Sequence, residues 1–169
     1  MGEHQWTVQH KGEYSGWSEE SEQATFTAVA PPDRLYSGAR DETVRKLDPS
    51  DMSEVERFSG HGDDVNALAW GADGYLYSGA DDDTVRKLDP SDMSEIAQFG
   101  GHSDDVYALA WGADGYLYSG SAGDKVRKID PTDMIELAQF SVGWADVMAL
   151  TWSQPAGNVA GISFQYPVE

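Results

Sequence analysis

The chain has 169 residues, 40% of them apolar, which is enough for one domain with its own core. Lys and Arg number 11 against 30 Asp and Glu, a net charge of −19 at pH 7 that excludes binding to nucleic-acid phosphates and docking on an anionic bilayer. There is no cysteine, which excludes disulfides, thiolate metal sites and thiol catalysis, and no apolar run is long enough for a membrane span.

The chain opens on MGEHQWTVQHKGEYSG, which has neither the basic start nor the apolar stretch of a signal peptide. Trp6 and Val8 alternate there with Thr7 and Gln9, the pattern of a strand. A repeat then takes over. Tyr36, Tyr77 and Tyr118 are 41 residues apart, as are Met52, Met93 and Met134, and Trp70, Trp111 and Trp152.

The unit beginning at Gly60 shows the pattern most clearly. VNALAW alternates small apolar residues with larger ones, and the turn Gly71-Ala72-Asp73-Gly74 follows. Then come YLYSG, the acidic turn ADDD, TVRKLD, a turn around Asp92, and SEIAQF. The spacing predicts four short antiparallel strands per unit, here called a to d, and no stretch has a capped helical period. The unit beginning at Gly101 repeats this reading, and the register extends back over residues 24–52.

The last unit is shorter. Strand a is expected at residues 148–152 and strand b near 158–164, with no full c–d pair after them. An unpaired edge invites aggregation, so the N-terminal segment is expected to complete this last unit. The expected organisation is one domain over residues 1–169. Its units are 18–59, 60–100, 101–141, and 142–169 completed by 1–17.

Four strands in about 41 residues, with Gly-His before strand a, resemble a WD40-type β-propeller blade. The fold implied is an all-β propeller of four blade equivalents per chain, each a four-stranded antiparallel sheet. It closes as a four-bladed ring of one chain, the preferred reading, or as half of an eight-bladed ring shared by two chains. The wording DGYLYSG…VRKLDPSDM is also similar to uncharacterised propeller proteins of haloarchaea and tailed viruses.

The resemblance implies a buried tetrad of His, Ser, Asp and Trp that braces each blade. One unit carries His61, Ser78 and Asp82, with Leu88 at the Trp position. The next carries His102 and Ser119, with Gly123 at the Asp position and Ile129 at the Trp position. The first carries Glu20, Ser37, Asp41 and Leu47. These residues are read as turn braces and not as catalysts, since the same groups repeat in each unit where catalysis needs unlike groups at one place.

The acidic turns Asp63-Asp64, Asp81-Asp82-Asp83 and Asp104-Asp105 fall at the end of the blade shared by the d–a and b–c turns. They are read as a solvated rim, because no calcium-loop spacing is present. Arg45-Lys46, Arg86-Lys87 and Arg127-Lys128 recur in strand c, opposite Glu54, Glu56, Glu95 and Glu136, and cross-strand ion pairs are expected. The indoles of Trp70, Trp111 and Trp152 are expected between blades, with sugar stacking as the sharper alternative.

Residues that break the repeat are the ones blade construction does not explain. Trp144 and Asp146 break it on the acidic side, and Pro31, Pro32 and Pro155 break it at the a–b turns. They are the candidate partner contacts. No nucleophile–base pair, phosphate-binding glycine loop or metal-ligand spacing is present, so no catalytic residue, metal or cofactor is expected. The expected function is a non-catalytic binding or structural module of a halophile or its virus, a tail or capsid-decorating virion component that contacts other proteins and can self-associate. A glycan-binding propeller and a cytoplasmic interaction scaffold are the alternatives.

A charge of −19 on so small a chain repels itself in dilute buffer, and salt screens it. The melting temperature is expected to climb from about 0.1 M to about 3 M KCl, where the screening length falls to a few Å. A flat or falling curve from calorimetry removes the halophile argument.

Overall fold

The computed structural model describes residues 33–153. Among them are eleven strands and no helix. The expected strands on residues 5–10 and near 158–164, and the completion of the last unit by residues 1–17, lie outside the described residues. So do Glu20, Pro31, Pro32 and Pro155.

The strands form three antiparallel sheets. The first holds β1 (Leu35–Gly38), β2 (Val44–Leu47) and β3 (Glu54–Phe58), the b, c and d strands of blade one. Blade two is complete, with β4 (Val65–Trp70), β5 (Leu76–Ala80), β6 (Val85–Leu88) and β7 (Glu95–Phe99) in sequential order. Blade three repeats it with β8 (Val106–Trp111), β9 (Leu117–Ser121), β10 (Lys125–Asp130) and β11 (Ile135–Ser141).

Local chemistry sets each turn. In the a–b turn Gly74 has φ +85° and closes a hydrogen bond to the Gly71 carbonyl at 3.0 Å. Only glycine takes that conformation without strain. Asp73 braces the same turn by accepting from the Tyr77 hydroxyl at 2.7 Å. A bulge recurs between strands c and d, at Lys46/Leu47, Lys87/Leu88 and Lys128/Ile129. Each c–d turn ends on a left-handed methionine, Met52, Met93 or Met134.

Residues 148–152 carry alternating apolar residues but form no strand. The expected strand a is absent there. No described strand b pairs with the segment, and a strand is defined by its partner. The segment still takes the position of a strand a. Val147 donates its backbone N–H to the Ser121 carbonyl at 3.1 Å, as Val65 does to Ala39 at 3.1 Å.

The core lies at the seams between blades. One cluster joins Val44 and Phe58 of blade one to Val65, Leu76, Leu88 and Met93 of blade two. The next joins Tyr77, Val85 and Phe99 to Val106, Leu117, Ile129 and Met134 of blade three. Each seam is tight because strand b offers a glycine to a valine from the next strand a. A β-carbon on Gly79 would lie 2.6 Å from Val106 Cγ1, and one on Gly38 would lie 2.6 Å from Val65 Cγ1.

Gly79→Ala is therefore expected to destabilise the protein by about 1–3 kcal/mol, the usual cost of overpacking. Gly100→Ala is the control, since a β-carbon there meets nothing within 4 Å. Denaturant melts of the two variants check the difference, and equal midpoints would count against the tight seam.

Candidate functional site

The histidine turns are the most polar buried features of the described residues. In blade two the His61 ring stands edge-on to Phe58, at 85° and 5.8 Å between centroids. Its Nε2 lies 2.7 Å from Ser78 Oγ and its Nδ1 2.9 Å from Asp82 Oδ2. A carboxylate only accepts, so Nδ1 carries the proton and Nε2 takes the Ser78 hydroxyl. Asp82 also accepts from the Gly62 amide at 2.9 Å, the Thr84 hydroxyl at 2.6 Å and Arg86 Nη2 at 3.3 Å. Burial raises the Asp82 pKa, but hydrogen bonds from Thr84, Gly62 and His61 outweigh it and bring it down to about 2.

Blade three keeps part of this network. His102 stands edge-on to Phe99 and its Nε2 lies 2.7 Å from Ser119 Oγ. Its Nδ1 is buried without a hydrogen-bond partner, because Gly123 stands where Asp82 stands in blade two. Burial, then the charge of Arg127, push the His102 pKa down to about 4. In blade one, Asp41 accepts from Arg45 and from the Thr43 hydroxyl at 2.7 Å, and Arg45 above all holds its carboxyl well below the ordinary range. Ser37 lies half-buried in β1.

The arginines of strand c meet the glutamates of strand d as expected. Arg45 reaches Glu54 at 3.1 Å, Arg86 reaches Glu95 at 2.5 Å, and Arg127 pairs with Glu136. The lysines depart from the expected pattern. Lys46 stays 3.9 Å from Glu56 but donates to the Pro90 carbonyl at 2.6 Å and the Ser91 carbonyl at 3.1 Å. Lys87 donates to the Pro131 carbonyl at 2.8 Å, pairs with Asp73 at 2.9 Å and lies 4.2 Å over the Tyr75 ring. These lysines tie each blade to the c–d turn of the next. Burying an ammonium is costly, and carbonyls, a carboxylate and an aromatic face offset that cost.

The indoles do stand at the seams. Trp70 stacks on Tyr36 at 5.7 Å, Trp111 on Tyr77 at 5.6 Å and Trp152 on Tyr118 at 5.3 Å. A shallow hollow between Trp111 and Trp152 is completed by Ala72, Gly112, Ala113 and Gly115. Apart from the indole N–H groups, none of those side chains can hydrogen-bond a sugar hydroxyl.

The acidic turns do gather. Carboxylate oxygens of Asp63, Asp64 and Asp81 lie within 4.8 Å of one another, as do those of Asp83, Asp104 and Asp105. Burial and then the charge of Asp104 and Asp105 push the Asp83 pKa up. Burial also raises that of Asp81, with Asp105, Asp63 and Asp64 adding to it against a hydrogen bond from Asn66. These groups repel one another and are exposed or half-buried, as a solvated rim would be.

The loop after β11 is the irregular one. Gly143, at φ +89°, stands where His61 and His102 stand in the earlier blades. Phe140 therefore lacks the edge-on imidazole that covers Phe58 and Phe99, and it is 67% exposed where they are 9% and 7%. Trp144 is fully exposed, with Val142 and Met148 also open and Asp146 on the same loop.

The buried imidazole of His102 sets the sign of a pH effect. Its folded form stays unprotonated between about pH 4 and the ordinary value of 6.5, while the unfolded chain binds a proton there. Stability is thus full above about pH 6.5 and falls as pH drops toward 4. His102→Gln is expected to remove about one proton from that slope, roughly 1.4 kcal/mol per pH unit. Urea melts across the window check it, and an unchanged slope contradicts the assignment.

Comparison with known proteins agrees with this geometry. The WD domain, G-beta repeat family matches residues 52–88 and 93–130. Similar solved structures are those of U3-55K, at 23% identity over 72% of this chain with a TM-score of 0.67, and of the WD40 β-propeller domain of Doa1, at 19% over 70% with a TM-score of 0.65. The WD40 repeats of RRP9 are similar at 23% identity over 72% of this chain, TM-score 0.66. The chain spans about 40% of the length of these chains. No curated protein matches the sequence.

Proposed function

We propose that this WD40-repeat chain is a non-catalytic β-propeller module that binds a protein partner through residues 140–148, the loop that breaks its repeat. The observation that carries the reading is Trp144, fully exposed beside exposed Phe140, Val142 and Met148. Contiguous exposed apolar side chains mark interaction sites, and Trp is enriched among the residues that dominate binding energy. The rest of the molecule supports a scaffold. Among the described residues His61 and His102 are held by Ser78 and Ser119, Lys46 and Lys87 by carbonyls of the next c–d turn, and Trp70, Trp111 and Trp152 stack on tyrosines at the seams. A protein partner is favoured over a glycan, because the hollow at Trp111 and Trp152 lacks the polar side chains that orient a sugar.

The proposal extends to setting and assembly. The charge of −19 and the two clusters of facing aspartates support a high-salt setting, and a neighbouring virion protein as partner rests only on the likeness of the repeat wording to propeller proteins of haloarchaea and tailed viruses. Met93 and Met134 are buried against the preceding blade, while Met52 is 59% exposed. A neighbouring blade would cover it, from the same chain in a four-bladed ring or from a second copy in an eight-bladed one.

Trp144→Ala tests the binding surface. It should keep the melting temperature within a degree or two, since the side chain is fully exposed among the described residues, and weaken partner capture or particle assembly at least tenfold, as a lost hot spot does. A contact map falling mainly on residues 60–139 overturns the loop assignment. Light scattering in high salt decides the closure without touching the loop: the 18.4 kDa chain mass is expected for the four-bladed ring, and about twice that mass overturns it in favour of the shared ring.

A further inference from the structure

Blades two and three differ at one buried point. In blade two the Asp82 carboxylate collects the His61 ring, the Gly62 amide, the Thr84 hydroxyl and the Arg86 guanidinium. The repeat places Gly123, Ser103, Lys125 and Arg127 at the positions of Asp82, Gly62, Thr84 and Arg86. The carboxylate and the threonine hydroxyl are both gone from blade three. The groups they served remain.

His102 is 7% exposed and its Nδ1 has no hydrogen-bond partner. Arg127 Nε is also buried without one, although the same side chain pairs with Glu136 through Nη1. By the repeat, Nδ1 faces the place filled by the Asp82 carboxylate in blade two, and Nε faces the place of the Thr84 hydroxyl, which takes Arg86 Nε at 3.3 Å and itself donates to Asp82 at 2.6 Å. A β-carbon on Gly123 would have Ser103 Oγ at 3.1 Å, Asp104 Cβ at 3.5 Å and Ser121 Oγ at 3.6 Å as its nearest neighbours. Two of the three are hydroxyls, which can donate.

We propose that the b–c turn of blade three binds a small free carboxylate, of the size of formate or acetate, across the adjacent places vacated by the aspartate and the threonine, where it accepts from His102 Nδ1 and Arg127 Nε. Two donors, one of them cationic, suit an anion and repel a metal ion. A carboxylate matches a guanidinium edge and forms charge-assisted bonds stronger than those to water. His102 would donate through Nδ1 in the tautomer that His61 adopts. Asp83, Asp104 and Asp105 stand nearby and oppose an anion, but their oxygens face one another at the surface, where salt screens them. Gly62 and Asp82 have become Ser103 and Gly123, so the turn has exchanged a fixed carboxylate for a hydroxyl.

The test is a formate titration of the purified chain at constant ionic strength, with isethionate, which is bulkier than formate, as the replacement anion. The readouts are the His102 ring nitrogen resonances and the melting temperature. The expected result is a saturable shift of the His102 ring and a rise in melting temperature, with half-saturation in the millimolar range or weaker for so small a ligand. Gly123→Asp supplies the carboxylate in cis, so it should melt higher than the parent without formate and gain nothing from it. An unmoved His102 ring overturns the proposal on the parent chain alone, whether or not the variant folds. An equal response to isethionate, or to chloride, overturns the assignment to a carboxylate. A formate response that survives in Gly123→Asp places the anion elsewhere and overturns it too.

Discussion

Neighbouring blades meet where a valine at the start of strand a presses on a glycine in strand b of the blade before. Val65 lies on Gly38, Val106 on Gly79 and Val147 on Gly120. That contact sets how closely two sheets approach, and the seam clusters form around it. Tyr77 is buried because Trp111 of the next blade closes over it, and Met134 is buried because the next c–d turn folds back onto Val85 and its neighbours. A larger side chain at the glycine would hold the sheets apart and expose both.

Polar groups follow the same logic. A seam that is dry must satisfy every polar atom it encloses. The lysines reach forward to the carbonyls of the next c–d turn. The histidines are held within their own blade and are sealed by the phenylalanine of strand d. Each blade lends the next its cover, so the molecule is a stack of nearest-neighbour contacts and not one central core. Among the described residues, the loop around Trp144 is where the repeat's own cover, the histidine over the strand d phenylalanine, is missing.

The strand pattern was legible because every unit repeats it in 41 residues, and the Arg86–Glu95 type of pair was legible because its partners sit on adjacent strands. The lysines misled for a physical reason. Lys87 follows Arg86 in strand c, so alternation turns it to the opposite face of the sheet, where it meets Pro131, 44 residues away, and only a closed seam brings that carbonyl near. Residues 148–152 misled because alternation reports burial on one face and says nothing of a hydrogen-bonding partner. Gly123 marked the missing carboxylate in the sequence. The orphaned Nε of Arg127 did not show there, since it also depends on Lys125 standing at the Thr84 position.

Near-identity of the units has a cost that the seams do not remove. The glycine that receives Val106 from its own chain is the same, in the same surroundings, as the glycine that receives Val65. A valine from another molecule would fit either one. During folding, blade two of one chain can dock where blade three of its neighbour belongs, which is the route to exchanged and entangled chains in repeat proteins. The few departures from the repeat therefore act as addresses. Gly123 in place of Asp82, and Gly143 in place of His61, make the third seam and its loop unlike the second. They tell each blade its place along the chain.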